Sequence, residues 1–172
     1  MDFSIIRIAR TVLHVTNLQA SREFYVNGLG MIETESDENH VYLRGLEEHS
    51  HHSLLLKKAN AAHVEVLSYK VQKEQDLDEL EKLFLSHGLK TKWLPKGQQH
   101  AIGRALRVHD NSGIPLEFYA EMEIVDRMLQ RYDLYKGAKI QRIDHVNCAV
   151  PDVQKAYDFY TQQLGFSCSE YT

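Results

Sequence analysis

Three side chains in the sequence are of residue types that can bind a divalent metal ion. His63 begins the stretch HVEVLSYKV, Glu117 lies within the apolar stretch IPLEFYA, and His145 lies in RIDHVNCAVPD. Two histidines and one carboxylate can occupy one face of Fe(II) or Mn(II) and leave three neighbouring coordination positions open. The residue types therefore indicate a metal that could bind reactants directly.

Each of these residues also has a simpler interpretation. A single histidine on a strand is more often a core or surface residue than a metal ligand. Glu117 lies between Leu116 and Phe118, so its carboxylate either faces water on the polar side of a strand or needs a buried partner. The alternating pattern favours the water-facing position.

Other groups with chemical potential are weaker candidates. The run HSHH, with His49, His51 and His52, lies between two predicted strands, which favours a solvated turn over an adventitious metal cluster. His100 is predicted to lie in a loop, and GLGMIE lacks the third glycine of a dinucleotide-binding motif. Tyr157, Phe159 and Tyr160 could line an aromatic pocket, but helical spacing predicts core packing for Val153, Tyr157, Tyr160 and Leu164.

The elements that position these residues are predicted in the order β-α-β-β-β, which occurs twice. The first module covers about residues 7–60 and the second about residues 61–120. A further helix is predicted over residues 121–137, leading to a linker near Gly137. The helix of the second module is predicted from one apolar face, formed by Leu77, Leu80, Phe84 and Leu85.

The end of the sequence repeats its beginning. When Gly165 is placed on Gly30, an offset of 135 residues, positions 7–31 align with positions 142–166 without a gap, and eight of the 25 pairs are identical. Two strand-helix-turn segments could converge on similar periodicity, but an internal repeat explains this many identities better. We infer that a third module begins near Gln141.

The repeat sets Arg10 of the first module against His145 of the third. Only the imidazole can bind a metal, because a guanidinium stays protonated and has no lone pair to offer. In the head of the chain the set would consist of Arg10, His63 and Glu117, so one ligand would be missing there.

These segments resemble a known family. VLHVTNLQASREFYVNGLG and RIDHVNCAVPDVQKAYDFYTQQLGF are similar to the opening segments of vicinal oxygen chelate modules, and GIPLEFYAE is similar to a closing strand. Two modules followed by a linker and a third module resemble the extradiol ring-cleaving dioxygenases, of the catechol 2,3-dioxygenase and 3,4-dihydroxyphenylacetate 2,3-dioxygenase type. The resemblance extends over essentially the whole chain.

The resemblance implies an α+β fold of paired βαβββ modules, the glyoxalase/bleomycin-resistance/dioxygenase fold, with a mixed sheet curved around a cavity. It implies that His145 is the first ligand of Fe(II), or of Mn(II), because RIDHVN carries that ligand in the family. A second histidine and a glutamate are expected about 135 residues beyond His63 and Glu117, outside this sequence, as are the acid-base residues. The metal would orient a catechol-type aromatic and O2 for ring cleavage.

The third module stops after SCSEYT, where the first module still has two strands to come. We therefore expect a two-module domain over residues 1–136, and over residues 137–172 a linker and the start of a catalytic domain that a longer protein completes. With one metal ligand of three, the chain by itself is expected to be inactive. The full-length protein is expected to form a homo-oligomer.

Composition excludes several other classes. The 172 residues are 43% hydrophobic and 26% charged, which is ordinary for a globular protein. No apolar run is long enough for a membrane span, MDFSIIRIAR lacks signal-peptide features, and Cys148 and Cys168 have no paired spacing, so a cytoplasmic location is expected. The net charge of −4, without a basic stripe, argues against a nucleic-acid partner.

Two alternatives remain within the same superfamily. One is a small-molecule binding or sequestering protein, in which paired modules form a cavity without redox chemistry. The other is a glyoxalase-type isomerase, which is disfavoured because such enzymes usually need only one pair of modules.

Overall fold

The computed structural model describes residues 2–170, which form two compact units. We call residues 8–68 and 122–144 the first unit, and residues 2–7, 69–121 and 145–170 the second unit. Among the described residues, no helix is long and apolar enough to cross a membrane. The predicted boundary between residues 136 and 137 is not tested by this division and stays a prediction.

The first unit contains the first β-α-β-β-β module. Its elements are β1 (Ile5–Val15, from Ile8 onward), α1 (Leu18–Glu23) with a π-helical turn (Phe24–Gly28), β2 (Ile32–Ser36), β3 (His40–Arg44), β4 (Leu54–Lys58) and the beginning of β5 (His63–Val71). Strand β1 pairs in parallel with β4, while β3 pairs antiparallel with both β4 and β2. A bulge interrupts the β2–β3 register between Glu33 and Glu35.

Alternating apolar residues on these strands form the core of the first unit. Two buried clusters lie on the ladders, one of Met31, Val41, Leu43, Leu54 and Leu56, and one of Val12, Tyr42, Leu55 and Val66. Successive strand residues point to opposite faces, so neighbouring residues such as Leu54 and Leu55 belong to different clusters. The sheet is therefore covered on both faces.

The second unit contains most of the second module and the beginning of the third. Helix α2 (Gln75–Ser86) is followed by β6 (Thr91–Leu94), β7 (Ala105–His109) and β8 (Pro115–Tyr119), which pair antiparallel in sequence order. The predicted α+β class and the two β-α-β-β-β modules are thus confirmed, with both parallel and antiparallel pairing. The cavity that the resemblance implies stays a prediction.

The predicted apolar face of α2 is correct at three of its four positions. Leu77, Leu80 and Phe84 are fully buried, but Leu85 is 56% exposed. Leu85 directly follows Phe84, so a turn of about 100° per residue carries its side chain off the buried stripe.

The internal repeat is confirmed at the level of individual hydrogen bonds. Asn17 caps α1 by accepting from the Ala20 N–H at 3.0 Å, and Asp152, 135 residues later, caps the helix that begins at Val153 by accepting from the Lys155 N–H at 3.0 Å. Helix α3 (Val153–Asp158) continues into a π-helical turn (Phe159–Gln163), as α1 does. Gly30 and Gly165 both have φ of 75°, so both copies end on a glycine in the left-handed region.

The helix predicted over residues 121–137 is wrong. This segment runs extended and contains only one short 3-10 turn, Tyr132–Leu134. Its backbone bonds to the turn between β3 and β4: Val125 N–H donates to the His49 carbonyl and Met128 N–H to the Leu46 carbonyl, both at 2.8 Å. These partners replace the i−4 carbonyls of a helix.

The strand predicted around His145 is not formed among the described residues either. Residues 141–150 belong to no described β-ladder. A strand is stable only when a neighbouring strand satisfies its backbone groups, and α3 shows that the following helix forms without the strand.

The predicted core face of α3 is wrong at two of four positions. Val153 and Tyr157 are exposed, whereas the buried positions of this segment are Ala156, Phe159 and Leu164. Ala156 directly precedes Tyr157, so a turn of about 100° per residue carries the Tyr157 side chain off the buried side of the helix.

The core of α2 gives a test of packing. Leu80→Ala removes a fully buried side chain and should lower the free energy of unfolding by about 2–5 kcal/mol, because it leaves a cavity. Leu85→Ala makes the same chemical change at an exposed position of the same helix and should cost less than about 1 kcal/mol. Urea unfolding of both variants measures the difference, and equal losses would contradict the orientation of α2.

A second test concerns how the third-module segment is held in the second unit. The Tyr160 hydroxyl donates to the Asp110 carboxylate at 2.8 Å, and Asn111 donates to the Lys155 carbonyl at 3.1 Å. Tyr160→Phe should therefore speed amide hydrogen exchange across residues 153–166, because the buried Asp110 loses one partner.

Tyr25→Phe is the matched control, since Tyr25 is the repeat equivalent of Tyr160 and packs against the first unit's apolar cluster. It should leave exchange in residues 153–166 unchanged. Unchanged exchange in Tyr160→Phe as well would show that the Asp110 contact does not hold this segment.

Candidate metal-ligand positions

Arg10 occupies the position on β1 that the repeat matches to His145. The side chain is 1% exposed. Its Nε donates to the Ser68 hydroxyl at 3.4 Å, and its NH1 lies 3.3 Å from Nε2 of His52. The guanidinium can only donate hydrogen bonds and has no lone pair to offer, so the residue at this position cannot ligate a metal. This agrees with the prediction from the sequence.

His63 does not lie beside Arg10. The prediction that Arg10, His63 and Glu117 occupy equivalent positions of one site in the head is therefore wrong for His63. His63 is exposed, and its ring lies against the ring of His14, with the centroids 4.1 Å apart and the ring planes tilted by 32°. His14 lies four residues along β1 from Arg10, about 13 Å away in a strand. The residue of β5 that contacts Arg10 is Ser68.

Glu117 is buried and paired, so the favoured water-facing position is wrong and the alternative of a buried partner is correct. Its side chain is 0% exposed. The carboxylate accepts from Arg107 Nε at 2.7 Å and from Gln99 Nε2 at 3.0 Å. Arg107 lies directly opposite Glu117 in the β7–β8 ladder, so the antiparallel register supplies the counter-charge.

His145 lies in the second unit, seven residues before the cap of α3, and is exposed. No group of three potential metal-binding side chains among residues 2–170 includes it. Of the facial set that the resemblance implies, the described residues therefore contain one donor, His145. The metal-binding role of His145 stays a prediction.

The run HSHH is not the solvated turn that its composition favours. His51 and His52 are buried, as are Ser50 and Ser53 on either side of them. The extended segment after residue 121 covers this turn, since the His51 N–H donates to the Glu123 carbonyl at 2.9 Å. Local sequence contains no signal for this burial, because it depends on a segment more than seventy residues away. His100 lies in a turn, as predicted.

In the second unit, Tyr69, Cys148 and Tyr160 all have raised pKa values, and sequence reasoning did not predict this. Burial, followed by the hydrogen bond to Asp110, strongly raises the pKa of Tyr160, and burial raises the pKa of Tyr69 to about 12. Burial also raises the pKa of the Cys148 thiol, so this thiol stays protonated near neutral pH. None of these groups is prepared to act as a nucleophile.

Comparison with protein families divides the chain as the repeat does. Residues 64–123 match the family described as Catechol 2,3-dioxygenase-like N-terminal domain. Residues 142–172 match the family described as Glyoxalase/Bleomycin resistance protein/Dioxygenase superfamily. The second match begins at Arg142, where the internal repeat resumes.

Two curated relatives match nearly the whole chain. A metapyrocatechase from Pseudomonas sp. strain CF600 is 29% identical over 178 residues, which cover 99% of this chain and 58% of that protein. A manganese-dependent 2,3-dihydroxybiphenyl 1,2-dioxygenase from Geobacillus genomosp. 3 is 24% identical over 179 residues, covering 99% and 57%. The chain thus spans between half and three-fifths of the length of these relatives.

Solved structures show the same similarity. Homoprotocatechuate 2,3-dioxygenase from Arthrobacter globiformis is 42% identical with a TM-score of 0.92, covering 96% of this chain and 51% of that one. The enzyme from Brevibacterium fuscum, solved in complex with 3,4-dihydroxyphenylacetate, is 39% identical with a TM-score of 0.91 and covers the same shares. With the repeated modules, the two family matches place the chain in the vicinal oxygen chelate superfamily, and the similar proteins in it are extradiol ring-cleaving dioxygenases.

Proposed function

We propose that this chain is the amino-terminal portion of a metal-dependent extradiol dioxygenase, which inserts O2 into a catechol-type aromatic beside its two hydroxylated carbons. The observation that carries the proposal is the repeat, which sets His145 in the third module where the first module holds a buried, non-ligating Arg10. The names of the similar proteins support the reaction class. The chain has the family's two-module head and one metal ligand.

The geometry of the head supports a non-catalytic role for it. Arg10 can only donate, the side chain beside it on β5 is Ser68, and Glu117 is neutralised by Arg107. A hydroxyl and a carboxylate already paired with arginine are a poor set for Fe(II) or Mn(II), which need free anionic or imidazole donors. We therefore assign the metal to the module that His145 begins.

Fe(II) or Mn(II), once bound, would supply a centre on which a catecholate and O2 are held side by side. Within this chain, His145 would supply one nitrogen to that centre. The segment after His145 leads directly to the cap at Asp152, and α3 with its π-helical turn is attached to the β7–β8 turn through Asp110 and Asn111. The head would thus help to position the first ligand.

The whole protein would take a catechol-type aromatic and O2 as its substrates and form a homo-oligomer in the cytoplasm. A non-catalytic binding protein of the same superfamily is the alternative outcome, and ring cleavage distinguishes the two. Only the enzyme turns catechols into the yellow products of extradiol cleavage.

His145→Gln in the protein that contains this chain should reduce bound metal and turnover by more than about 100-fold. Changes to residues that merely support a ligand already cost 10–100-fold, so loss of a ligand should cost more. Metal analysis and the rate of yellow product formation measure both effects after anaerobic loading with Fe(II) or Mn(II).

His63→Gln is the control for that experiment, because His63 is an exposed histidine outside the proposed set. It should retain wild-type metal content and activity. A fully loaded and active His145→Gln variant would refute the assignment of His145, and a loaded wild-type protein that leaves catechols intact would refute the enzymatic function.

The 172-residue chain by itself should bind Mn(II) only weakly and should not cleave catechols, because it contains only His145 of the proposed set of three ligands. Equilibrium dialysis with Mn(II) should give no stoichiometric binding below millimolar concentrations. Tight binding to the isolated chain that is lost in His145→Gln would contradict the proposal that the other ligands lie elsewhere.

A further inference from the structure

The first unit contains a connected row of polar side chains that the proposed function does not use. Arg10 NH1 lies 3.3 Å from His52 Nε2, His52 Nδ1 lies 3.0 Å from His51 Nδ1, and His51 Nε2 lies 3.4 Å from a carboxylate oxygen of Glu35. Arg10, His51 and His52 are buried, while the Glu35 side chain is half exposed. The row runs from the core to the surface.

The guanidinium determines where the protons of this row lie. Arg10 carries only donors, so Nε2 of His52 must accept and cannot hold a proton. A neutral imidazole has one N–H, so the proton of His52 lies on Nδ1 and is donated to Nδ1 of His51. His51 then carries its own proton on Nε2, which lies 3.4 Å from the Glu35 carboxylate. Each contact pairs one donor with one acceptor.

We propose that Arg10 holds His52 and His51 as neutral rings of opposite tautomers, and that this arrangement makes the fold of the first unit sensitive to acid. A second proton on His52 would place an N–H against the guanidinium of Arg10. A second proton on His51 would place an N–H against the Nδ1–H of His52. Either change replaces a buried hydrogen bond with two facing donors, which is costly away from water.

The surroundings of the pair in this unit oppose protonation. The Arg10 guanidinium faces the histidine pair from β1, and the Glu35 carboxylate faces it from β2. Of these two charged groups, only Arg10 is buried. From β3, the Tyr42 ring contacts both imidazoles edge-on, with centroid distances of 5.6 Å to His51 and 5.0 Å to His52. The half-exposed carboxylate is screened by solvent, so it offsets the buried cation only in part.

The direction of the pH effect follows from linkage. In the unfolded chain a histidine takes up a proton below a pH of about 6.5, whereas the folded unit keeps both rings neutral. Unfolding therefore takes up protons in acid, and the stability that the row contributes is present above pH 6.5 and lost below it. For each ring, the unfolding equilibrium constant should therefore rise about tenfold for every unit by which the pH falls below 6.5.

Nitrogen NMR of the histidine rings tests the proton positions in the unmodified chain. At neutral pH, His52 should show a protonated Nδ1 and an unprotonated Nε2, and His51 the reverse. A proton on Nε2 of His52, or a doubly protonated ring at either position, would overturn the proposal. This measurement does not depend on whether any variant folds.

His52→Gln tests the consequence for stability. Its amide can accept from Arg10 and donate to His51, but it does not titrate. As the pH falls from about 6.5 to about 5, the unfolding constant of the wild type should rise more steeply than that of His52→Gln. The difference should be about an additional factor of ten for each pH unit, because the variant has lost one titrating ring. His87→Gln, a change at an exposed histidine, should keep the wild-type dependence. Identical pH dependence of the wild type and His52→Gln would overturn the proposal.

Discussion

A buried guanidinium must be surrounded by acceptors, and much of the first unit is arranged around this requirement of Arg10. Ser68 comes from β5 and His52 from the turn before β4, so the cation joins parts of the chain that are far apart in sequence. His52 in turn contacts His51, and the backbone of His51 is bonded to Glu123. Burying a charge without such partners would cost several kcal/mol.

The same requirement explains why a polar turn lies inside the first unit. Glu48 accepts from the Gly45 N–H at 2.7 Å and also from the Ser53 hydroxyl, while Arg44 donates to the Glu48 carbonyl at 2.9 Å. These bonds satisfy the polar groups that a buried turn would otherwise leave unpaired. The turn between β3 and β4 is thus a polar structural element of the interior.

The repeat shows how one local structure serves two different environments. Phe24 and Phe159 are equivalent by the offset, yet Phe24 is 56% exposed and Phe159 is 2% exposed. Likewise Tyr25 packs against the apolar cluster of the first unit, whereas Tyr160 donates to Asp110 in the second unit. Capping, helix and closing glycine are fixed locally, but the surface that each copy covers depends on its neighbours.

Sequence alone determined the features that arise from local chemistry. The two β-α-β-β-β modules, the caps at Asn17 and Asp152 and the repeat all depend on periodicity, short-range hydrogen bonds and backbone freedom, which a few adjacent residues specify. The contrast between Arg10 and His145 is also a property of residue type. Tertiary structure decided which side chains meet: Ser68 beside Arg10, Arg107 beside Glu117, and the burial of His51 and His52. These contacts join residues distant in the chain or opposite in a ladder, so their positions follow from strand register and from the extended segment after residue 121, neither of which local patterns encode.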